Sequence, residues 1–157
     1  MKIKIILILL FLLFPLSSVK PCSCVSNELP FRKKIKEAFE NAELIITGIV
    51  VDLKEILSYA SSIYSGGPII YTFEVTKIIK GESKVTRLDI LSARSDASCG
   101  YRFRLGETYL VYAIKSEHFS KQTGIESSFI TSVCNRNKLL NDTEKREINI
   151  LQRMSNR

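Results

Sequence analysis

Two cysteines one residue apart, Cys22 and Cys24, stand just behind an apolar leader, and Cys99 and Cys134 follow far downstream. No other feature restricts the fold as strongly. A Cys-x-Cys pair seldom closes on itself because the small ring is strained, so each of the two reaches across to Cys99 or Cys134. Two pairings satisfy that requirement, and spacing does not choose between them. Either way the start of the chain behind the leader is fastened to the body of a domain. A stretch that would otherwise fray is held rigid and offered to solvent, which points to recognition more than to a catalytic pocket.

The oxidised reading rests on the leader. Lys2 and Lys4 make a short basic start, and residues 5–16 are an apolar run of about a dozen, where a membrane span needs about 20. Residues 1–18 are therefore expected to be a signal peptide cut after Ser18, with no membrane span left after cleavage. Lipidation at Cys22 is disfavoured because Lys20 and Pro21 stand where small or apolar residues are wanted. The expected destination is secreted, periplasmic or at the cell surface. In such a compartment four cysteines normally form disulfides. Zinc sites favour Cys-x-x-Cys, one residue longer than Cys22-Ser23-Cys24, and His118 in a polar loop adds no ligand cluster. No intrinsic metal and no cofactor are expected. Each bridge closes a long loop and contributes about 4 kcal/mol in the chain-entropy model, against a net domain stability of about 5–15 kcal/mol.

Removing 18 of the 157 residues leaves 139, the size of one domain covering 19–157. The 23 Lys and Arg, less Lys2 and Lys4, against 16 Asp and Glu give it a charge of +5. That mild excess fits weak attraction to acidic partners and surface polymers, not a concentrated nucleic-acid patch.

Periodicity supplies the elements. Residues 30–41 place Phe31, Ile35, Ala38 and Phe39 on one helical face. Residues 44–56 turn β-branched and predict a long strand with a bend or bulge at Gly48. A loop over 58–67 leads to a second strand at 69–80, where Tyr71, Phe73 and Val75 alternate with Thr72, Glu74 and Thr76 before Gly81 ends it. Further strands are predicted at 85–91, 108–115 and 125–134, with a polar loop at 92–100. A final helix spans 141–154, capped by Asn141 or Asp142, with Ile148, Leu151 and Met154 inward. Five strands with flanking helices predict a mainly β, α+β chain forming a five-stranded barrel of the OB type, with a β-sandwich as the alternative.

Other features have plain readings. Tyr71, Phe73 and Tyr101 are expected to pack the barrel. Arg102 and Arg104 alternate with Tyr101 and Phe103 in the manner of a single-strand platform, but export and diffuse charge argue against nucleic acid. The runs 32–34 and 144–147 are read as solvated helix faces, and Asn141-Asp142-Thr143 is a formal glycosylation sequon. An enzyme is the least supported class: the chain has one histidine, no Gly-rich phosphate loop and no nucleophile paired with a base.

In order, the chain offers a leader, Cys22-Ser23-Cys24-Val25, a helix, a long strand, the segment from Tyr71 to Lys80-Gly81, Cys99-Gly100-Tyr101, and Thr131-Ser132-Val133-Cys134. Over residues 22–135 this resembles the N-terminal inhibitory domain of the tissue inhibitors of metalloproteinases, which has an OB fold. The resemblance implies the pairing Cys22–Cys99 and Cys24–Cys134. It implies a ridge of Cys22, Ser23, Cys24, Val25 and Ser26, flanked by Ala97, Ser98 and Cys99, that enters a zinc metalloprotease. In that mode Cys22 chelates the protease zinc when it is the mature N-terminus, and Ser23 enters the specificity pocket. The chain departs from the family in three respects: Val19-Lys20-Pro21 precede Cys22 after the expected cut, a third bridge within the domain is lacking, and so is the C-terminal disulfide-rich domain. The expectation is a monomeric, exported metalloproteinase-inhibitor-like protein. The alternative is a non-inhibitory binding module of the same fold for a protein or surface polymer.

Overall fold

The computed structural model describes residues 22–24, 28–56, 67–81 and 85–156. The predicted leader at 1–18, Val25 and Ser26 of the predicted ridge, and nearly all of the 58–67 loop lie outside the described residues. Helix α1 spans Phe31–Asn41, followed by β1 (Leu44–Glu55), β2 (Ile69–Lys80) and β3 (Arg87–Ser92). Then come β4 (Thr108–Ser116), a short helix α2 (Ser120–Thr123), β5 (Ser128–Thr131), β6 (Lys138–Leu139) and helix α3 (Lys145–Ser155).

Strands β1 to β5 close into a barrel in the order β1-β2-β3-β5-β4-β1. All pairings are antiparallel except β3 with β5, where Ile90, Leu91 and Ser92 lie beside Phe129, Ile130 and Thr131. That is the five-stranded, OB-like α+β barrel predicted from the strand count, with the two-residue β6 appended to β4.

Two apolar layers explain the runs that build it. The strand period of two sends alternate side chains to opposite faces. Leu44, Ile46, Tyr109, Val111 and Ala113 fill the barrel with Tyr71, Phe73 and Phe103. Ile45, Leu110 and Tyr112 point outward, where Ile35 of α1 and Leu151 of α3 cover them. Strands β1 and β4 thus carry apolar residues on both faces, as strands buried on both sides must. Inside, Phe103 is the hub of an aromatic cluster, with ring centroids 5.0 Å from Tyr71, 5.0 Å from Phe73, 4.7 Å from Tyr101 and 4.9 Å from Tyr109. Edge-to-face geometry dominates, the arrangement that ring quadrupoles favour. Tyr101 and Phe103 therefore face the barrel, while Arg102 and Arg104 project outward.

The predicted irregularity in β1 is present: the register with β2 shifts between Thr47 and Gly48. A Cβ on Gly48 would stand 2.9 Å from the Glu74 carbonyl oxygen, so the bulge brings two backbones together where a side chain does not fit.

Three boundaries differ from the sequence reading. The third strand runs Arg87–Ser92 rather than 85–91. The strand predicted over 125–134 is confined to Ser128–Thr131, because α2 ends at Gly124 in a left-handed conformation and a side-chain-bonded turn begins at Ser132. The last helix starts at Lys145, with Glu144 at its N-cap, instead of at Asn141 or Asp142. Those two residues occupy a 3₁₀ turn that ends at Thr143, which is extended and buried and donates its hydroxyl to the Leu139 carbonyl at 2.9 Å.

Candidate functional site

Both bridges join the chain start to the barrel rim in the pairing the resemblance implies. Cys22 bonds Cys99 with Cα atoms 5.2 Å apart, and Cys24 bonds Cys134 with Cα atoms 5.3 Å apart. The sulfurs of Cys22, Cys99 and Cys134 lie within 4.8 Å of one another, so the bridges sit side by side. All four cysteines are oxidised, which leaves that cluster without a free thiolate for a metal. Ser23 and Cys24 are exposed, as are Ala97 and Ser98, while Cys22 and Cys99 are half-buried. The structure thus brings Cys22, Ser23, Cys24, Ala97, Ser98 and Cys99 onto one covalently joined ridge.

Each wall of the ridge has its own local support. In the loop after β3, Ser95 caps a 3₁₀ turn, Asp96–Ser98: its Oγ accepts from the Ser98 amide at 3.3 Å and meets Ser98 Oγ at 2.7 Å. The turn ends at Cys99, whose φ of 62° is unusual for a residue with a side chain. Gly100 then passes so close beneath the loop that a Cβ there would lie 1.9 Å from the Ala93 carbonyl oxygen. No side chain fits, which gives the Cys-Gly-Tyr motif a steric cause. On the other wall, Asn135 Oδ1 accepts from the Ser132 amide at 3.0 Å and from its hydroxyl at 2.6 Å, making a tight turn that holds Cys134 within it. The walls are tied where the Val133 amide donates to the Cys99 carbonyl at 3.0 Å.

Beneath the ridge lies a polar layer absent from the sequence reading. Ser92, fully buried at the end of β3, donates to the Thr131 carbonyl at 3.2 Å and accepts from the Tyr101 amide at 2.7 Å. Thr131 Oγ1 donates to the Tyr112 carbonyl at 2.7 Å. Asn137 accepts from the Tyr112 amide at 3.0 Å and donates to Thr131 Oγ1 at 2.8 Å and the Ser132 carbonyl at 3.0 Å. Buried polar groups satisfied this fully hold one geometry, and here it is the geometry of the two loops that carry Cys99 and Cys134.

The helix face at 144–147 departs most from expectation. Lys145 and Arg146 are solvated as predicted, but Glu147 is 0 % exposed. Its Oε1 accepts from the Tyr112 hydroxyl at 2.9 Å and Arg136 Nε at 3.0 Å, and its Oε2 from Arg136 Nη2 at 2.9 Å and Lys138 at 3.4 Å. Burial alone would raise the Glu147 pKa, but the Arg136 guanidinium, the Tyr112 hydroxyl and Lys138 together outweigh it and hold the carboxyl below its ordinary range. The Tyr112 hydroxyl is pushed far up, by burial first and the neighbouring carboxylate second, and remains a donor. The Glu147 bonds hold the Arg136 guanidinium more firmly protonated despite its burial. Arg136, two residues beyond Cys134, also stacks over the Phe31 ring at the start of α1, as does Arg146. The network therefore reaches both the Cys134 loop and the helix that follows the N-terminal segment. Its only sequence signal was Glu147 standing between the inward positions Ile148 and Leu151 and the helix start.

His118 is exposed, edge-on to Phe119, and takes no part in the ridge. No helix among the described residues is long and apolar enough to cross a membrane. Compared with known families and curated proteins, the chain matches no protein-family model and no curated sequence.

Proposed function

We propose that this chain is an exported metalloproteinase-inhibitor-like protein that occludes a zinc endopeptidase with the ridge of Cys22, Ser23, Cys24, Val25 and Ser26, flanked by Ala97, Ser98 and Cys99. The observation that carries the reading is the double fastening: two bridges side by side leave Ser23 exposed between them, next to the exposed Ala97 and Ser98. An edge fixed before binding loses little conformational entropy on entering a cleft, so more of the contact energy becomes affinity. A chain that begins at Cys22 presents the α-amine and the carbonyl oxygen of that same residue side by side. Together they bind the protease zinc and displace the water that the metal activates. The short Ser23 side chain then faces the specificity pocket.

The amine must be free. While Pro21 precedes it, the Cys22 nitrogen is an amide without a basic lone pair, and inhibition requires a chain trimmed to Cys22. With Val19 as the mature terminus, the same ridge serves the non-inhibitory binding module for a protein or surface polymer. Disulfide-intact forms beginning at Val19 and at Cys22, titrated against zinc endopeptidases, separate the readings. The Cys22 form is expected to slow substrate cleavage stoichiometrically and the Val19 form to leave it unchanged. No slowing by either form removes the inhibitor reading.

A further inference from the structure

Helices α1 and α3 leave between them a groove of about 420 Å³, walled by Arg32, Lys33 and Lys36 on one side and Ile150, Arg153 and Met154 on the other. That is within the size range of ligand-binding clefts, about 300–1,000 Å³. The four cations are exposed, and Ile150 and Met154 are half-buried. Among the described residues, no acidic one lines it. Lys36 meets Glu40 at 3.5 Å, an exposed pair of the kind that contributes little.

The charge is concentrated here. The two eleven-residue helices carry seven Lys and Arg against three Glu, an excess of four where the whole chain has +7. One of those three, Glu147, is buried and committed to Arg136 and Lys138. The two helices thus carry a net positive charge, and the groove between them lies outside the ridge.

We infer that the groove docks an acidic peptide segment of a partner protein, carboxylates on Arg32, Lys33, Lys36 and Arg153, and an aliphatic side chain on the floor formed by Ile150 and Met154. Charge complementarity selects the sign and steers the encounter. The floor selects a peptide over other anions. Among the described residues it holds no aromatic ring on which a sugar polymer would stack. Its apolar groups are recessed between two helices, whereas a bilayer is met by apolar side chains that protrude. Methionine at the floor adapts to varied side chains, and an amphipathic segment laid along two helices is a recurring recognition mode.

The test uses the disulfide-intact protein and a fluorescent peptide of about twelve residues, glutamate with leucine at every fourth position, followed by fluorescence anisotropy. The double variant Lys33→Glu/Arg153→Glu is expected to weaken binding by at least about tenfold, near 1.4 kcal/mol. Lys115→Glu/Lys121→Glu makes the same charge change at exposed positions elsewhere and is expected to change binding by less than about threefold, with thermal melts verifying both folds. A peptide with serine in place of leucine is expected to bind distinctly more weakly. Equal losses in the two double variants, equal binding of the serine peptide, or tighter binding to a sulfated polysaccharide or to phosphatidylglycerol vesicles would each overturn the proposal. Protease titration of the groove variants is an independent measurement, since no groove residue belongs to the ridge.

Discussion

Glu147 carries a charge into a place with no solvent contact, and three side chains receive it there through four hydrogen bonds. Removing one member of such a cluster strands the others, which typically costs more than the intact cluster contributes. Glu147→Gln preserves the shape but leaves Arg136 and Lys138 without their counter-charge. Stability at neutral pH is expected to fall by about 3 kcal/mol, read from denaturant midpoints. The linkage has a definite sign: the folded carboxyl titrates below its unfolded value of about 4.3. Its contribution is thus present above that pH and is lost as pH falls through the depressed folded value. The gap between native protein and Glu147→Gln is expected to narrow below about pH 4. A gap that stays constant from pH 7 to pH 3 would mean the network contributes nothing through charge. Single residues of this kind were the least legible in the sequence, since a glutamate in a charged run looks solvated until the fold places Tyr112 and Arg136 around it. Gly100 was visible as part of a motif, but its cause, the carbonyl of Ala93, is a three-dimensional fact.

Among the elements, Lys80 shows how a strand end serves a neighbouring helix. Its ammonium donates to the Phe39 carbonyl at 2.6 Å and the Ala42 carbonyl at 2.5 Å, and stands 4.8 Å from the centre of the Phe39 ring. The last carbonyls of α1 lack intrahelical partners and carry partial negative charge, and a cation answers both needs. Gly81 then turns with φ at +110°, a conformation side chains rarely adopt. Lys80→Met keeps the apolar stem and removes the donor. It is expected to lower stability by about 1–3 kcal/mol and to speed amide exchange in the last turn of α1 more than in the barrel. Uniform exchange would show that the cap has no local role. The long elements were legible because their periods are clear: β2 alternates from Ile69 to Thr76, and Ile35 sits on the predicted inner face of α1. The short ones were not. Helix α2 has four residues and β5 has four, too few for a period to register, and their limits are set by Gly124 and by the Ser132–Asn135 turn.

For the whole molecule, the cysteine spacing demanded cross-links to Cys99 and Cys134, and the barrel follows from the number of strands. The polar layer and the helix groove were hidden because they are made by surfaces that meet only after folding. The bridges span 77 and 110 residues of sequence, so replacing Cys24 and Cys134 together with serine is expected to lower stability by about 4–5 kcal/mol. The two apolar layers do not depend on that bridge, so the barrel is expected to survive at low temperature while limited proteolysis cuts near residue 24 first. Cleavage inside the strands at the same rate would show the bridge to be integral to the barrel. The parallel join of β3 to β5 has a consequence in time. It cannot form until the chain has been made as far as Thr131, and non-local pairings of this kind come late in folding. Cys24 must wait while 110 further residues are made before Cys134, and the rim that receives it, exists.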